Sequence, residues 1–203
     1  LTRAATALGT ASGQAAQREL RALLRSMNSY YSNRIEGEHT RPSDIERALQ
    51  NDFSGNADLA RKQRLAVAHI HAEASCEAEL DGLESDHGGG KDGGGRAGEG
   101  SVPWLYTAEA LKWQHRELFG QLPEQDLQLA DGSQMAPGQL RQRGVAVGRH
   151  EAPAWQALPS FLNRWTEVYS NVRRGEASIV ALAAAHHRLT WIHPFLDGNG
   201  RVA

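Results

Sequence analysis

Between Gly82 and Gly100 the chain is rich in glycine, with Lys91, Asp92, Arg96 and Glu99 set among the glycines. Such a stretch cannot bury enough apolar surface to offset the entropy of ordering it, so a mobile linker is expected over residues 82–101. A glycine-cradled phosphate site is the rival reading. It lacks the Gly-Lys-Ser/Thr ending and the preceding strand that such a loop requires. The chain is therefore expected to divide into a helical region over 1–81 and a second region over 102–203.

Both flanks show the three- and four-residue apolar spacing of helices. Leu20, Leu23, Leu24, Met27, Tyr31 and Ile35 mark the buried stripe of a helix over about 17–36, which stops at Gly37. Ser43 and Glu46 form a capping-box pattern that opens a short helix toward Leu49. Ala57 to Leu80 holds neither Gly nor Pro and reads as a long amphipathic helix. Further on, Thr107 caps a helix that runs through Phe119 and closes at Gly120, and Pro159 opens one carrying Phe161, Leu162, Trp165, Val168 and Tyr169. A last long helix follows Gly175 through Ile179, Leu182, Ala183, His186, Leu189 and Ile192. From Leu140 to His150 there is no helical stripe, and Val145 and Val147 alternate with small or polar neighbours as in a short hairpin. The expected class is mostly α with one small β element.

At 203 residues with a formal net charge of −2, the chain has no global basic field for a phosphate backbone, so nucleic acid is not indicated as a partner. The apolar run from Ile179 to Ala185 is far short of the ~20 residues of a membrane helix, and no membrane partner is expected. Leu1 to Ala16 mixes Ala, Thr, Ser and Gly without a compact apolar core, which reads as a flexible lead-in rather than a signal peptide. The single cysteine, Cys76, sits in an apolar-periodic segment and is expected to be a buried, inert thiol; a cytoplasmic location follows most easily.

Chemistry concentrates in His193-Pro194-Phe195-Leu196-Asp197-Gly198-Asn199-Gly200-Arg201. The string reads as a helix end, a loop with a base and a carboxylate, and a Gly-Asn-Gly turn that can start another helix. Backbone N–H groups around two glycines at a helix start suit phosphate oxygens, and Arg201 adds a charge-assisted contact. Asp197 beside that nest is a natural ligand for Mg²⁺, which keeps several waters and takes other ligands from a nucleotide. His193, with an ordinary pKa of about 6.5, suits removal of a proton from an attacking hydroxyl. His69 and His71, two apart, face different sides of a helix and make a poor metal pair.

Read whole, the string resembles the Fic-family signature H-x-F-x-[D/E]-G-N-G-R-x-x-R. The resemblance implies a Fic (Fido) fold, a helical core with a β-hairpin flap, and assigns roles to matching positions. His193 becomes the general base, Phe195 the anchor of the loop, Asp197 the Mg²⁺ ligand, and Gly198, Asn199, Gly200 and Arg201 the grip on the nucleotide phosphates. Pro137-Gly138, Arg141 and Val145-Ala146-Val147-Gly148 look like the family's flap (about 139–150), whose edge pairs with a target's backbone. Ser32-Asn33-Arg34-Ile35-Glu36-Gly37 resembles the inhibitory motif [S/T]-x-x-x-E-[G/N], with Ser32 and Glu36 on one helix face. His186 also matches a family position, and a satisfied structural histidine is expected there.

The signature's second arginine would follow Ala203, so the carboxyl-terminal part of the core is expected to be missing, with the last helix frayed and its packing face exposed. The implied activity is transfer of AMP from ATP·Mg²⁺ to a Ser, Thr or Tyr hydroxyl of a protein docked by strand addition, restrained by Glu36. A de-AMPylase, or a non-catalytic module that holds a peptide on the flap, are the alternatives; self-association stays open.

Overall fold

The computed structural model describes residues 13–86, 102–171 and 176–203. The chain forms two compact units divided between Glu73 and Ala74.

The first unit holds α1 (Gln14–Ile35), α2 (Pro42–Leu49) and the beginning of α3 (Ala57–Asp86). Helix α1 stops in a left-handed cap: Gly37 has φ +84°, its N–H reaches the Arg34 carbonyl, and the Glu38 N–H reaches the Asn33 carbonyl. Glycine meets that conformation without a Cβ clash. The stripe expected to be buried is instead exposed: Leu20, Leu23, Leu24, Met27, Tyr31 and Ile35 all face outward, Ile35 at 84%. The buried face of α1 carries small polar groups. Ser29 Oγ donates to the Ala66 carbonyl at 2.7 Å, Asn33 Nδ2 donates to the Ser29 carbonyl at 2.9 Å, and Tyr30 packs on Ile45, Ala66 and Ile70. Periodicity identified the helix but not the face that its neighbour covers; side chains as small as Ser29 and Ala66 let two backbones approach closely.

Helix α2 also differs in its cap. Arg41 is the N-cap and no side chain bonds the first turn, so the Ser43–Glu46 box does not form. Pro42, with φ already set near the helical value, starts the helix one residue ahead of Ser43 and carries that serine into the first turn. Helix α3 runs six residues past Leu80 to Asp86, through Gly82, at a cost of ~1 kcal/mol relative to Ala there. Gln14 to Ala16 likewise join α1. The rest of the glycine-rich stretch and of the lead-in lies outside the described residues. Cys76 is half-buried rather than buried.

The second unit continues with α4 (Val102–Leu105), α5 (Ala108–Phe119), strands β1 (Ala146–Val147) and β2 (His150–Glu151), and helices α6 (Leu158–Tyr169), α7 (Glu176–Ile192) and α8 (Asn199–Val202). Thr107 Oγ1 accepts the Ala110 N–H at 3.1 Å, a cap typically worth ~1 kcal/mol. The core gathers Leu111, Leu158, Leu162, Trp165, Ala185, Leu189, Ile192 and Phe195. Burial of each large side chain there contributes roughly 1.5–3 kcal/mol. Trp165 Nε1 donates to the Ala185 carbonyl at 3.0 Å, so this ring is satisfied as well as packed. The outer face of α7 leaves Ile179, Val180 and Leu182 exposed.

Strands β1 and β2 pair antiparallel, with Ala146 opposite Glu151 and Val147 opposite His150. Among the described residues the fold is thus mostly α with one small two-stranded sheet. Gly148, at φ +59°, takes the first position of the two-residue turn between them. Among the described residues no helix is long and apolar enough to cross a membrane.

Candidate active site

Helix α7 ends because Pro194 cannot continue it. His193 closes the helix with its N–H on the Leu189 carbonyl and then turns left-handed at φ +52°. Such a conformation costs a residue other than glycine of order 1–3 kcal/mol and persists only where its surroundings hold it. His193 Nδ1 lies 3.3 Å from the Thr190 carbonyl. A carbonyl only accepts, so Nδ1 carries the proton in that contact and Nε2 carries the lone pair of the neutral ring. The atom a general base needs is therefore Nε2.

The following loop is pinned from inside. Phe195 is fully buried, and its backbone closes a ring with the Asn199 side chain: the Phe195 N–H donates to Asn199 Oδ1 at 2.8 Å and Asn199 Nδ2 donates to the Phe195 carbonyl at 3.0 Å. The side-chain amide of Asn199 is thus engaged in shaping the loop. Gly198 sits at φ +75° against the Phe119 ring, where a Cβ would overlap Cε2 and Cζ. Its N–H donates to Asp197 Oδ1 at 2.6 Å. Helix α8 then begins, and the N–H groups of Arg201 and Val202 return to the Gly198 carbonyl. Those of Asn199 and Gly200 precede the first intrahelical bond, at the positive end of the turn.

Asp197 is the exposed member of the loop. Its carboxylate lies 4.0 Å from Arg201 Nη1, and Arg201 is itself stacked over the Phe119 ring at 5.9 Å. Among the described residues no group of three His, Cys, Asp or Glu side chains is arranged to hold a metal ion. A hard oxygen donor standing alone fits Mg²⁺ only as one ligand among water and phosphate oxygens, and that is how such a cation is usually bound.

A cleft of about 470 Å³ is lined by Leu196 and Asp197 of the loop, Arg143, Gly144 and Val145 of the flap, and Leu129, Ala130 and Asp131. Val145 and Gly144 thus share a cleft with Asp197, whereas Val147 and Gly148 stand at the outer, exposed end of the hairpin. Arg143 Nη1 pairs with Asp131 Oδ2 at 2.7 Å, and Arg143 Nη2 donates to Ser133 Oγ at 2.8 Å. The Ser133 hydroxyl and N–H, followed by Arg143, hold the Asp131 carboxyl down to about 2.

His115 escaped the sequence reading, and so did the partners of His150 and of the flap residue Arg141. His115, fully buried on α5, accepts the Gly138 N–H at Nδ1 (2.8 Å) and places Nε2 3.2 Å from the Asp197 carbonyl, with its ring stacked on Phe195 at 4.1 Å. Burial, against the opposing pull of the Asp197 carbonyl and carboxylate, drives its pKa down to about 4, so the ring is neutral with the proton on Nε2. His150 of β2 meets the Trp191 carbonyl at 2.9 Å, and the Arg141 side chain meets that of His193 at 2.7 Å. Only their long-range partners, 41 and 52 residues away, distinguish these two from ordinary hairpin residues. His186, expected to be a satisfied structural histidine, is exposed on α7. Ser32 and Glu36 belong to the first unit, at the last turn of α1, where Ser32 is half-buried and Glu36 exposed.

Residues 105–203 match the profile of the Fic/DOC family. This chain carries a Fic-family domain. The protein adenylyltransferases Fic of Drosophila grimshawi and Drosophila ananassae are each 36% identical to it over 67 residues, 32% of this chain. The chain spans 14% of the length of those relatives. A Fic family protein from Desulfovibrio desulfuricans G20 superposes with a TM-score of 0.59 at 18% identity, over 96% of this chain and 50% of that one. A Fic domain containing signaling protein from Bacteroides thetaiotaomicron VPI-5482 does so with a TM-score of 0.63 at 18% identity, over 93% and 63%. The fold is that of Fic proteins.

Proposed function

We propose that this Fic domain transfers AMP from ATP to a hydroxyl group of a protein. The observation that carries the reading is the placement of His193, whose Nδ1 lies 3.3 Å from the Thr190 carbonyl, four residues before the cleft-lining Asp197. In the reaction a Ser, Thr or Tyr oxygen forms a bond to the α-phosphorus, the bond from that phosphorus to the bridging oxygen of the β-phosphate breaks, and pyrophosphate leaves. The hydroxyl proton passes to His193 Nε2. Asn199 and Gly200 N–H groups with Arg201 receive phosphate oxygens, and Asp197 would hold Mg²⁺, which supplies charge neutralisation on those phosphates. Rate enhancement then comes mainly from positioning and fixed charge.

The flap is the proposed dock for the target: β1 is exposed along its length, and Val145 reaches the same cleft as Asp197, which supports a target strand lying beside it. Glu36 is the proposed restraint. Its exposed carboxylate at the end of α1 is available to a cation, and the family resemblance names that cation as the second signature arginine.

The test is incubation of the chain with ATP labelled at the α-phosphate and a cell extract or the chain itself. Label appearing on protein with the wild-type sequence and absent with His193→Ala supports the reading. Label from the γ-phosphate instead, or equal labelling by both proteins, overturns it.

A further inference from the structure

The last carbonyls of α7 are not left to water. The Leu189 carbonyl takes the His193 N–H, Thr190 faces the His193 ring, Trp191 faces His150, and Ile192 faces Arg141 at 3.4 Å. Arg141 does more than cap. Its Nε donates to the His193 carbonyl at 2.7 Å, Nη1 to the Arg143 carbonyl at 2.9 Å, and Nη2 to the Pro153 carbonyl at 2.6 Å, while its N–H donates to the Pro194 carbonyl at 2.9 Å. The residue is 2% exposed, and every one of these acceptors is a carbonyl.

A buried guanidinium that bonds no carboxylate is costly unless something else offsets the charge. Here the negative end of the α7 dipole and the convergent carbonyls do so. Burial lowers the Arg141 pKa, yet a guanidinium stays protonated at any working pH. Its fork geometry explains why arginine occupies the place, since the donors must reach the helix end and both roots of the hairpin, at Arg143 and Pro153, at once.

We infer that Arg141 is a positioning residue: it holds the left-handed backbone of His193, and thereby the base, and fastens both roots of the β1–β2 hairpin to that same point. A target strand seated on the hairpin is then referenced to the base through one guanidinium. This inference rests on the AMP-transfer reading for its kinetic readout alone.

The experiment compares the full chain with Arg141→Lys and Arg141→Gln in three measurements: thermal melting, the ¹⁵N shifts of the His193 ring in histidine-labelled protein, and steady-state AMP transfer. Lysine keeps the charge at the helix end but has one nitrogen where the fork has three, so it rescues partly; glutamine loses the charge as well. The expected result is a His193 ring that leaves the single Nδ1–H state and becomes a tautomer mixture. With it, kcat falls roughly tenfold for Lys and a hundredfold for Gln, with KM for ATP within twofold of wild type. An unchanged His193 ring signal with unchanged kcat in the lysine variant overturns the inference. So does a parallel loss of ATP affinity and cooperative melting in both variants, which assigns Arg141 to stability alone. Should the wild-type chain transfer no AMP, the functional reading fails by itself, and the ring signal still decides the positioning role.

Discussion

Replacing Gly198 by alanine tests whether the signature loop is as tightly built as its geometry implies. Two costs add. A residue with a Cβ at φ +75° carries a left-handed penalty of roughly 1–2 kcal/mol. The new methyl would also lie 2.5 Å from Phe119 Cζ and closer still to Cε2, well inside the ~3.5–4.0 Å of an ordinary carbon contact. Phe119 is 2% exposed and packed against the His115 ring at 4.7 Å, so it has little room to retreat. Overpacking of this kind costs about 1–3 kcal/mol, which brings the total to about 2–5 kcal/mol. Urea unfolding followed by tryptophan fluorescence reads the second unit, because all five tryptophans lie between Trp104 and Trp191. A double-mutant cycle with Phe119→Leu separates the parts: the smaller side chain should recover the steric share and leave the backbone share. A Gly198→Ala protein within about 0.5 kcal/mol of wild type, or one whose loss is the same in the Phe119→Leu background, would refute the reasoning.

His193→Ala should reduce AMP transfer ~10²- to 10⁴-fold with ATP affinity little changed, and radiolabel incorporation alongside calorimetric titration of ATP checks both. Ala146→Pro removes the backbone donor of β1 that points away from β2, because Val147 stands in the bonded pair with His150, and it should weaken transfer to a protein target while sparing ATP binding; a joint loss would mark the hairpin as structural only. Glu36→Gly, in a chain that continues through the second signature arginine, should raise self-modification roughly ten- to a hundredfold, the effect of losing one charge-assisted pair. His115 supplies a pH dependence. With its folded pKa near 4 and an unfolded value near 6.5, the unfolded chain binds the extra proton between them, so the stabilisation is complete above about pH 6.5 and is lost as pH falls toward 4. The span amounts to ~3 kcal/mol, measured as the difference in unfolding free energy between wild type and His115→Gln across that interval.

Helix positions were legible because apolar spacing, Thr107, Pro159 and Gly37 each impose a local physical constraint that needs no tertiary partner. The loop that carries His193 and Asp197 was legible for a related reason: these residues and the glycines are close in sequence. What remained hidden depended on distance. The flap resemblance marked Arg141 but not its partners: it bonds the helix end 52 residues away, whereas Arg143 pairs with Asp131 at the surface. His115 reads as a plain helical residue until Gly138 and Asp197 arrive on either side of its ring. The α1 stripe failed for a different reason. A helical period gives the direction of an apolar face, and only packing decides whether that face or the one bearing Ser29 and Asn33 meets α3.

The brevity of the hairpin has a consequence for how long a target could stay. A strand of two residues, Ala146 and Val147, can lend a docked segment only a couple of ladder bonds. At ~0.5–1.5 kcal/mol net for each, they fall well short of the roughly 8 kcal/mol behind a micromolar complex. An encounter held so lightly ends quickly, and a modified protein would drift away as readily as an unmodified one. Such a surface favours many brief visits over a few long ones.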